Sequence, residues 1–466
     1  MSNRPCSLQP LFVFALVFCC NQSVQSQSTT NDWPQWLGPD RNGEWSEQGI
    51  VETIPDEGLD VAWRVPINGG YTSPSISGDR LVVMDWIKDE VTEDSKRQAG
   101  VIEGTERVLC LNTADGEQVW QHEYDSTYQV SYPGGPRCSP LIEDERVYTL
   151  GTMGQFICFN INTGEIIWQK NLAERYSAKP PVWGFASHPM IVGELIYCTV
   201  GGEGSGVVAM NKFTGAEVWK NLTAEEIGYA PPVLMQSSEG QQQLVVWYDV
   251  AIVGLDLNSG EELWSQKFPS DSPQRPSVSI ATPLVIGHQV FVTNFYHGSI
   301  LFEVKDDNKT KEVWDTQDDK QHANDINTIM TTPIVKDGYI YGLAGTGELR
   351  CIHVESGRLM WRNYQALAVE GQDELAPVMR MLGFASLFIT RNNDQELLFT
   401  DQGELIIAKL TPTGYHEMGR QKLLEATAES RGRTYVWCYP AYAAGQMYVR
   451  NEKELIKVDL RAASYE

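Results

Sequence analysis

The sequence predicts an all-β fold: an eight-bladed β-propeller of four-stranded antiparallel blades, its ring closed by an N-terminal strand. Three observations carry that reading. A short frame ending in Trp recurs along the chain. Each copy has an apolar strand upstream, usually opened by Pro. The two ends of the repeat region hold complementary parts of one more blade. Internal repeats at this period outrank other local signals, because each repeat is one supersecondary unit.

The frame is clearest at Cys158–Trp168, CFNINTGEIIW. It recurs at Cys110–Trp120, Ala209–Trp219, Gly254–Trp264 and Cys351–Trp361. Ala408–Met418 keeps it with Met for Trp, and a worn copy, Val304–Trp314, has Thr310 where Gly belongs. Physically the frame is a β-hairpin. Alternating apolar residues make a half-buried strand, Asn-Thr-Gly supplies a turn with a positive-φ Gly, and the return strand carries the Trp. The partner strands begin at Ser73-Pro74, Ser139-Pro140, His188-Pro189, Pro231-Pro232, Thr282-Pro283, Thr332-Pro333 and Tyr439-Pro440, with Ser386-Leu387 lacking the Pro. Proline is tolerated at the first residue of a strand. Trp63, Trp120, Trp168, Trp219, Trp264, Trp314 and Trp361 are spaced by 45 to 57 residues, the length of a propeller blade.

Counted this way, the blades are Ser73–Trp120, Ser139–Trp168, His188–Trp219, Pro231–Trp264, Thr282–Trp314, Thr332–Trp361 and Ser386–Met418. The eighth joins Tyr439–Leu460 to Val61–Val65, which closes the ring and hides the sheet edges. The expected organisation is a signal peptide over 1–26, an N-terminal strap over 27–60 and the propeller over 61–466. The signal reading rests on Arg4, the apolar run Leu11–Phe18 and the Val24-Gln25-Ser26 cleavage site. Cys19-Cys20 raises lipid attachment, against which stands Phe18 in place of a small residue. The strap, rich in Trp and turn residues from Trp33 to Pro39, is expected to pack on the propeller.

The chain carries 36 basic and 61 acidic residues, a net charge of −25. Such a surface repels nucleic acid and anionic headgroups. Three of the nine cysteines fall in the leader; Cys110, Cys158 and Cys351 share one repeat position with Ala209 and Gly254, so they read as small core residues. A Cys138 or Cys438 disulfide is left open. The seven histidines show no metal-ligand spacing. Gly201–Gly206 lies between two strands and reads as a hairpin loop, not a phosphate cradle.

The small-x-Asn/Asp-x-x-Thr/Ser-Gly-x-x-x-Trp frame resembles the tryptophan-docking motif of the pyrroloquinoline-quinone (PQQ) repeat. That repeat builds the BamB-type outer-membrane assembly lipoproteins and the propeller of quinoprotein alcohol dehydrogenases. The resemblance covers Val61 to Leu460 and implies that the seven motif Trp dock between neighbouring blades. PQQ and Ca²⁺ enter by this resemblance alone. The related dehydrogenases carry a vicinal Cys pair under the quinone, and the vicinal pair here, Cys19-Cys20, lies in the leader. A non-catalytic extracytoplasmic scaffold, periplasmic or secreted, is therefore the expected function, with no catalytic or metal residue assigned. A diverged PQQ-dependent alcohol or sugar dehydrogenase is the alternative.

In a four-stranded meander the Thr-Gly turns share one face and the connections between blades the other. The second face is elaborated by long loops, where function concentrates in repeat proteins. Its candidate binding residues are Arg137, Trp183, Phe185, Arg275, Asn324, Asp325, Asn327, Arg433 and Trp437. Aromatic and Arg side chains there suit a protein or glycan partner. The expected assembly state is a monomer.

Overall fold

The computed structural model describes Met1 and residues 32–90, 100–224, 226–269, 277–318, 324–368, 385–430 and 432–465. The expected signal peptide with Cys19-Cys20, Arg275 and the tips of several long loops lie outside the described residues. Eight four-stranded antiparallel sheets follow one another along the chain, with one extra two-stranded hairpin formed by Ala428–Ser430 and Arg433–Tyr435. The inner strands start just after the repeated prolines, at Ser75, Leu141, Met190, Val233, Leu284, Ile334 and Ala441, and at Leu387 in the blade without one. Val61–Pro66 pairs antiparallel with Glu454–Asp459 and completes the eighth blade, so the N-terminal strand closes the ring.

The repeated frame has a clear physical role at each position. Its Asn or Asp side chain caps the turn: Asn160 Oδ1 accepts from the N–H groups of Asn162 (2.9 Å) and Thr163 (3.1 Å). Asp256 does the same for Asn258 and Ser259, and His353 instead meets Ser356 Oγ at 3.1 Å through Nδ1. The Gly has φ of +73° at Gly164 and +66° at Gly215, a conformation that costs L-residues steric energy. It also lies under the Trp of the preceding blade: a Cβ on Gly164 would sit 2.7 Å from Trp120 Cδ2. The indole N–H then reaches the next blade's turn. Trp120 donates to Ile161 O at 2.6 Å, Trp168 to Lys212 O at 2.9 Å and Trp219 to Leu257 O at 2.8 Å. Trp63, Trp314 and Trp361 donate likewise to Thr113, Val354 and Thr411. Each contact satisfies a turn carbonyl and packs an aromatic ring between blades, buried at Trp63, Trp120, Trp168 and Trp219 and half-buried at Trp314 and Trp361.

Two copies of the frame differ from the sequence reading. In blade five the strands pair Leu301 with Trp314, not Val304, because the hairpin is three residues longer than at Cys158 and Trp168. Thr310 is in the strand, and the positive φ falls on Asn308. Lacking a Gly turn to cover, Trp264 donates to Gln243 Oε1 of its own blade at 2.7 Å and packs edge-on to Phe302, with ring centroids 5.7 Å apart. In blade seven, Ile407 pairs with Gly419 and Ala408 with Glu417, so Met418 falls at the bulge and Gly419 takes the Trp position.

The strap lies across the propeller. Trp33 bridges Ile76 of blade one, Glu44 bridges Arg391 of blade seven, and Ile50 bridges Arg461 beyond blade eight. Trp33 and Trp45 are 1% and 5% exposed, inside the largest apolar cluster. Between them Arg41 is buried, donating to the carbonyls of Pro189 (2.9 Å) and His188 (3.2 Å) at the start of blade three.

Candidate functional site

The residues that precede the inner-strand prolines converge on the propeller axis. Thr332 Oγ1 bonds Thr282 Oγ1 at 3.1 Å, Thr332 N–H donates to Tyr439 Oη at 2.7 Å, and Ser139 N–H donates to His188 Nδ1 at 3.0 Å. Trp36 of the strap seals this belt. Its Nε1 donates to Thr282 Oγ1 at 3.0 Å, and its ring stacks on His188 with centroids 3.9 Å apart. Burial, then the charge of Arg41, holds the His188 imidazole well below its usual range. The ring is therefore neutral at neutral pH, with Nδ1 free to accept.

Above this floor a cavity of about 760 Å³ opens among the inter-blade loops. Its walls are largely aromatic and apolar: Tyr71, Tyr132, Trp183, Tyr229, Phe295, Tyr296, Ile329, Met330 and Trp437. Arg137 lies among them. It donates to the carbonyls of Gly135 (2.8 Å), Ser131 (3.1 Å) and Tyr132 (2.5 Å), and its guanidinium stands 5.1 Å over the Tyr71 ring. Trp437 is held by stacking on Tyr435, with centroids 3.7 Å apart. A concave apolar space with few polar groups is the usual form of a ligand or side-chain pocket.

Of the nine residues predicted for this face, Arg137, Trp183 and Trp437 line the cavity. Phe185 is buried in the core under blade two, at 2% exposure. Asn324 is exposed, whereas Asp325 is buried and takes part in a network with Thr316 Oγ1 (2.8 Å) and the Arg350 guanidinium (3.6 Å). Asn327 is buried with φ of +51°, and its carbonyl accepts from Gly345 N–H. Arg433 pairs with buried Asp401 away from the cavity. The cavity residues Trp36, Tyr71, His188, Tyr229, Phe295, Tyr296 and Tyr439 were not among the predicted ones. For His188 and Tyr439 a signal existed: each immediately precedes an inner-strand Pro, the position that also brings Ser139, Thr282 and Thr332 into the belt.

Among the described residues, the lining holds one guanidinium, one imidazole and no carboxylate. Those residues do not fit a PQQ–Ca²⁺ pair, which needs acidic oxygens for the metal and free cations for the quinone carboxylates. The guanidinium of Arg137 is engaged by backbone carbonyls. The six described cysteines are buried free thiols; Cys138 faces Ser187 O at 3.3 Å and Cys438 faces Thr72 O at 3.3 Å. Among the described residues no group of three or more His, Cys, Asp or Glu is arranged to hold a metal. Among them, too, no helix is long and apolar enough to cross a membrane.

Fold and repeat together define a PQQ-like repeat β-propeller. A family profile described as outer membrane protein assembly factor BamB matches residues 104–363, more than half of the chain, and the protein belongs to that family. Curated relatives of that description are 25% identical in Yersinia pestis, over 48% of this chain and 55% of the relative, and 24% identical in Escherichia coli K12, over 58% and 62%. The chain thus spans a little over half the length of the curated relatives it matches. Among solved structures, BamB from Moraxella catarrhalis superposes with a TM-score of 0.52 at 13% identity, covering 86% of this chain and 97% of that one. Quinohemoprotein alcohol dehydrogenase from Comamonas testosteroni superposes with a TM-score of 0.59 at 11% identity, covering 92% and 80%. Both likenesses concern the fold.

Proposed function

We propose that this protein is a non-catalytic extracytoplasmic scaffold for outer-membrane protein assembly, docking a protein partner on its long-loop face. The family match supports the assembly role. The single structural observation that supports the docking face is the aromatic axial cavity, which opens among the inter-blade loops and is sealed below by Trp36. Trp and Tyr walls flanked by an Arg are the residue types that dominate binding energy at protein interfaces. The net charge of −25 favours a partner with a basic contact surface.

Photo-crosslinking residues placed at Trp183 and Trp437, with Thr163 and Ser259 on the Thr-Gly turn face as controls, test this in the cell. Crosslinks to an outer-membrane assembly component from the first pair, together with lowered outer-membrane protein levels on gene deletion, are expected. Unchanged levels and no face-specific crosslink would overturn the proposal.

A further inference from the structure

A second cleft, of about 550 Å³, lies beside the axial cavity where blade eight meets blade one. Tyr71 and Tyr132 wall both spaces, and Tyr435 comes from the extra hairpin. Glycines let these walls approach: a Cβ on Gly69 would lie 2.5 Å from Gly134 O, and one on Gly135 would lie 2.5 Å from Gly69 O.

Glu452 projects into this cleft from the turn between Gln446–Arg450 and Glu454–Asp459. Its Oε2 accepts the Gly70 N–H at 3.2 Å. Among the described residues it has no ion-pair partner within 4.0 Å. The cations near it are committed elsewhere. Arg450 donates to the carbonyls of Met84 (2.6 Å), Asn451 (3.2 Å) and Asn68, and Arg137 to those of Ser131, Tyr132 and Gly135. Lys88 and Glu429 stand on the exposed rim. Burial pushes the Glu452 carboxyl up to about 7, against the opposing pull of Arg450, the Gly70 N–H and Arg137. The cleft therefore holds a desolvated carboxyl that Arg450 and Arg137 offset only from a distance and that no described cation meets in an ion pair, walled by three tyrosine rings. Ring faces attract cations, and an ammonium has three donors for a carboxylate and phenol oxygens. With no multi-ligand metal cluster among the described residues, an organic cation is the better match.

We propose that this cleft binds a ligand through a primary ammonium group, with Glu452 as counter-charge and Tyr71, Tyr132 and Tyr435 as aromatic walls. The ammonium favours ionised Glu452, so binding near pH 7 releases a proton, and affinity rises with pH from 6 to 8. The inference is independent of the assembly role and stands or falls without it.

Calorimetric titration of the mature protein with putrescine and with Nα-acetyl-lysine amide, in two buffers of different ionisation enthalpy, tests it. Binding of at least one, with proton release at pH 7, is expected. Glu452→Gln and Tyr435→Leu should each weaken it by about tenfold or more, and the Nε-acetylated lysine should not bind. Putrescine alone would assign a free amine, and the lysine amide a peptide-borne one. Tyr435→Leu keeps the carboxyl and decides the case if Glu452→Gln fails to fold. No binding of either amine, binding without proton release, or equal affinity in a folded variant would overturn the proposal.

Discussion

Ile54 of the strap lies over Gly419, the position where six other blades carry a docking Trp. A Cβ on Gly419 would sit 2.9 Å from Ile54 N and 3.0 Å from Ile54 Cγ1. Beside it, Gln421 Oε1 accepts the Leu59 N–H at 2.6 Å, and Thr53 Oγ1 donates to Met418 O at 2.5 Å. The strap thus supplies from outside the repeat what blade seven lacks. Gly419→Val should destabilise the protein by roughly 1–3 kcal/mol through overpacking. Ile54→Ala in the same chain should recover part of that loss. Denaturant unfolding of the two single variants and the double variant checks this, and strict additivity would show that the two residues do not act on each other.

Gly164 and Gly193 separate two costs. Both have positive φ, +73° and +59°, but only Gly164 lies under an indole; a Cβ on Gly193 meets nothing within 4 Å. Gly193→Ala should cost about 1–2 kcal/mol, the backbone term alone. Gly164→Ala should cost about 1–3 kcal/mol more, because Trp120 must shift. Equal losses in thermal or urea melts would mean that the turn Gly serves only the turn.

Removing Val61–Pro66 should leave Glu454–Asp459 as an open edge, with its partners unpaired. The truncated protein is expected to melt lower than the parent and to self-associate, as read by light scattering. A monomer with parental stability would show that the ring does not depend on this strand.

His188 gives a pH dependence of known sign. Its folded pKa is depressed, first by burial and then by Arg41. The unfolded chain therefore takes up a proton near pH 6.5 that the folded chain refuses. The stability this neutral ring contributes is complete above about pH 6.5, and below it falls by up to about 1.4 kcal/mol per pH unit. His188→Gln should flatten melting temperature against pH between 7 and 5. An unchanged slope would mean that His188 is not the group responsible.

The local chemistry of the repeat was legible in the sequence by itself. Asn160, Thr163, Gly164 and Trp168 each act within one hairpin or on the next, so their spacing carries the blade and the eightfold count, and the unmatched halves at the two ends gave the closing role of Val61–Val65. Deviations that depend on another segment were not legible. The pairing of Leu301 with Trp314 came from a hairpin lengthened by three residues, which moves the register without changing the Trp. The filling of the Gly419 position by Ile54 joins residues 365 apart. The candidate site behaves in the same way. Arg137, Trp183 and Trp437 could be chosen as aromatic or cationic loop residues, but Phe185 and Arg433 carry the same residue-type signal and turn inward. Only the tertiary structure decided which loop side chains face the axis. It alone brought Trp36 onto His188 and Glu452 against Gly70, because those contacts depend on how separate blades meet, and no periodicity along one strand records that.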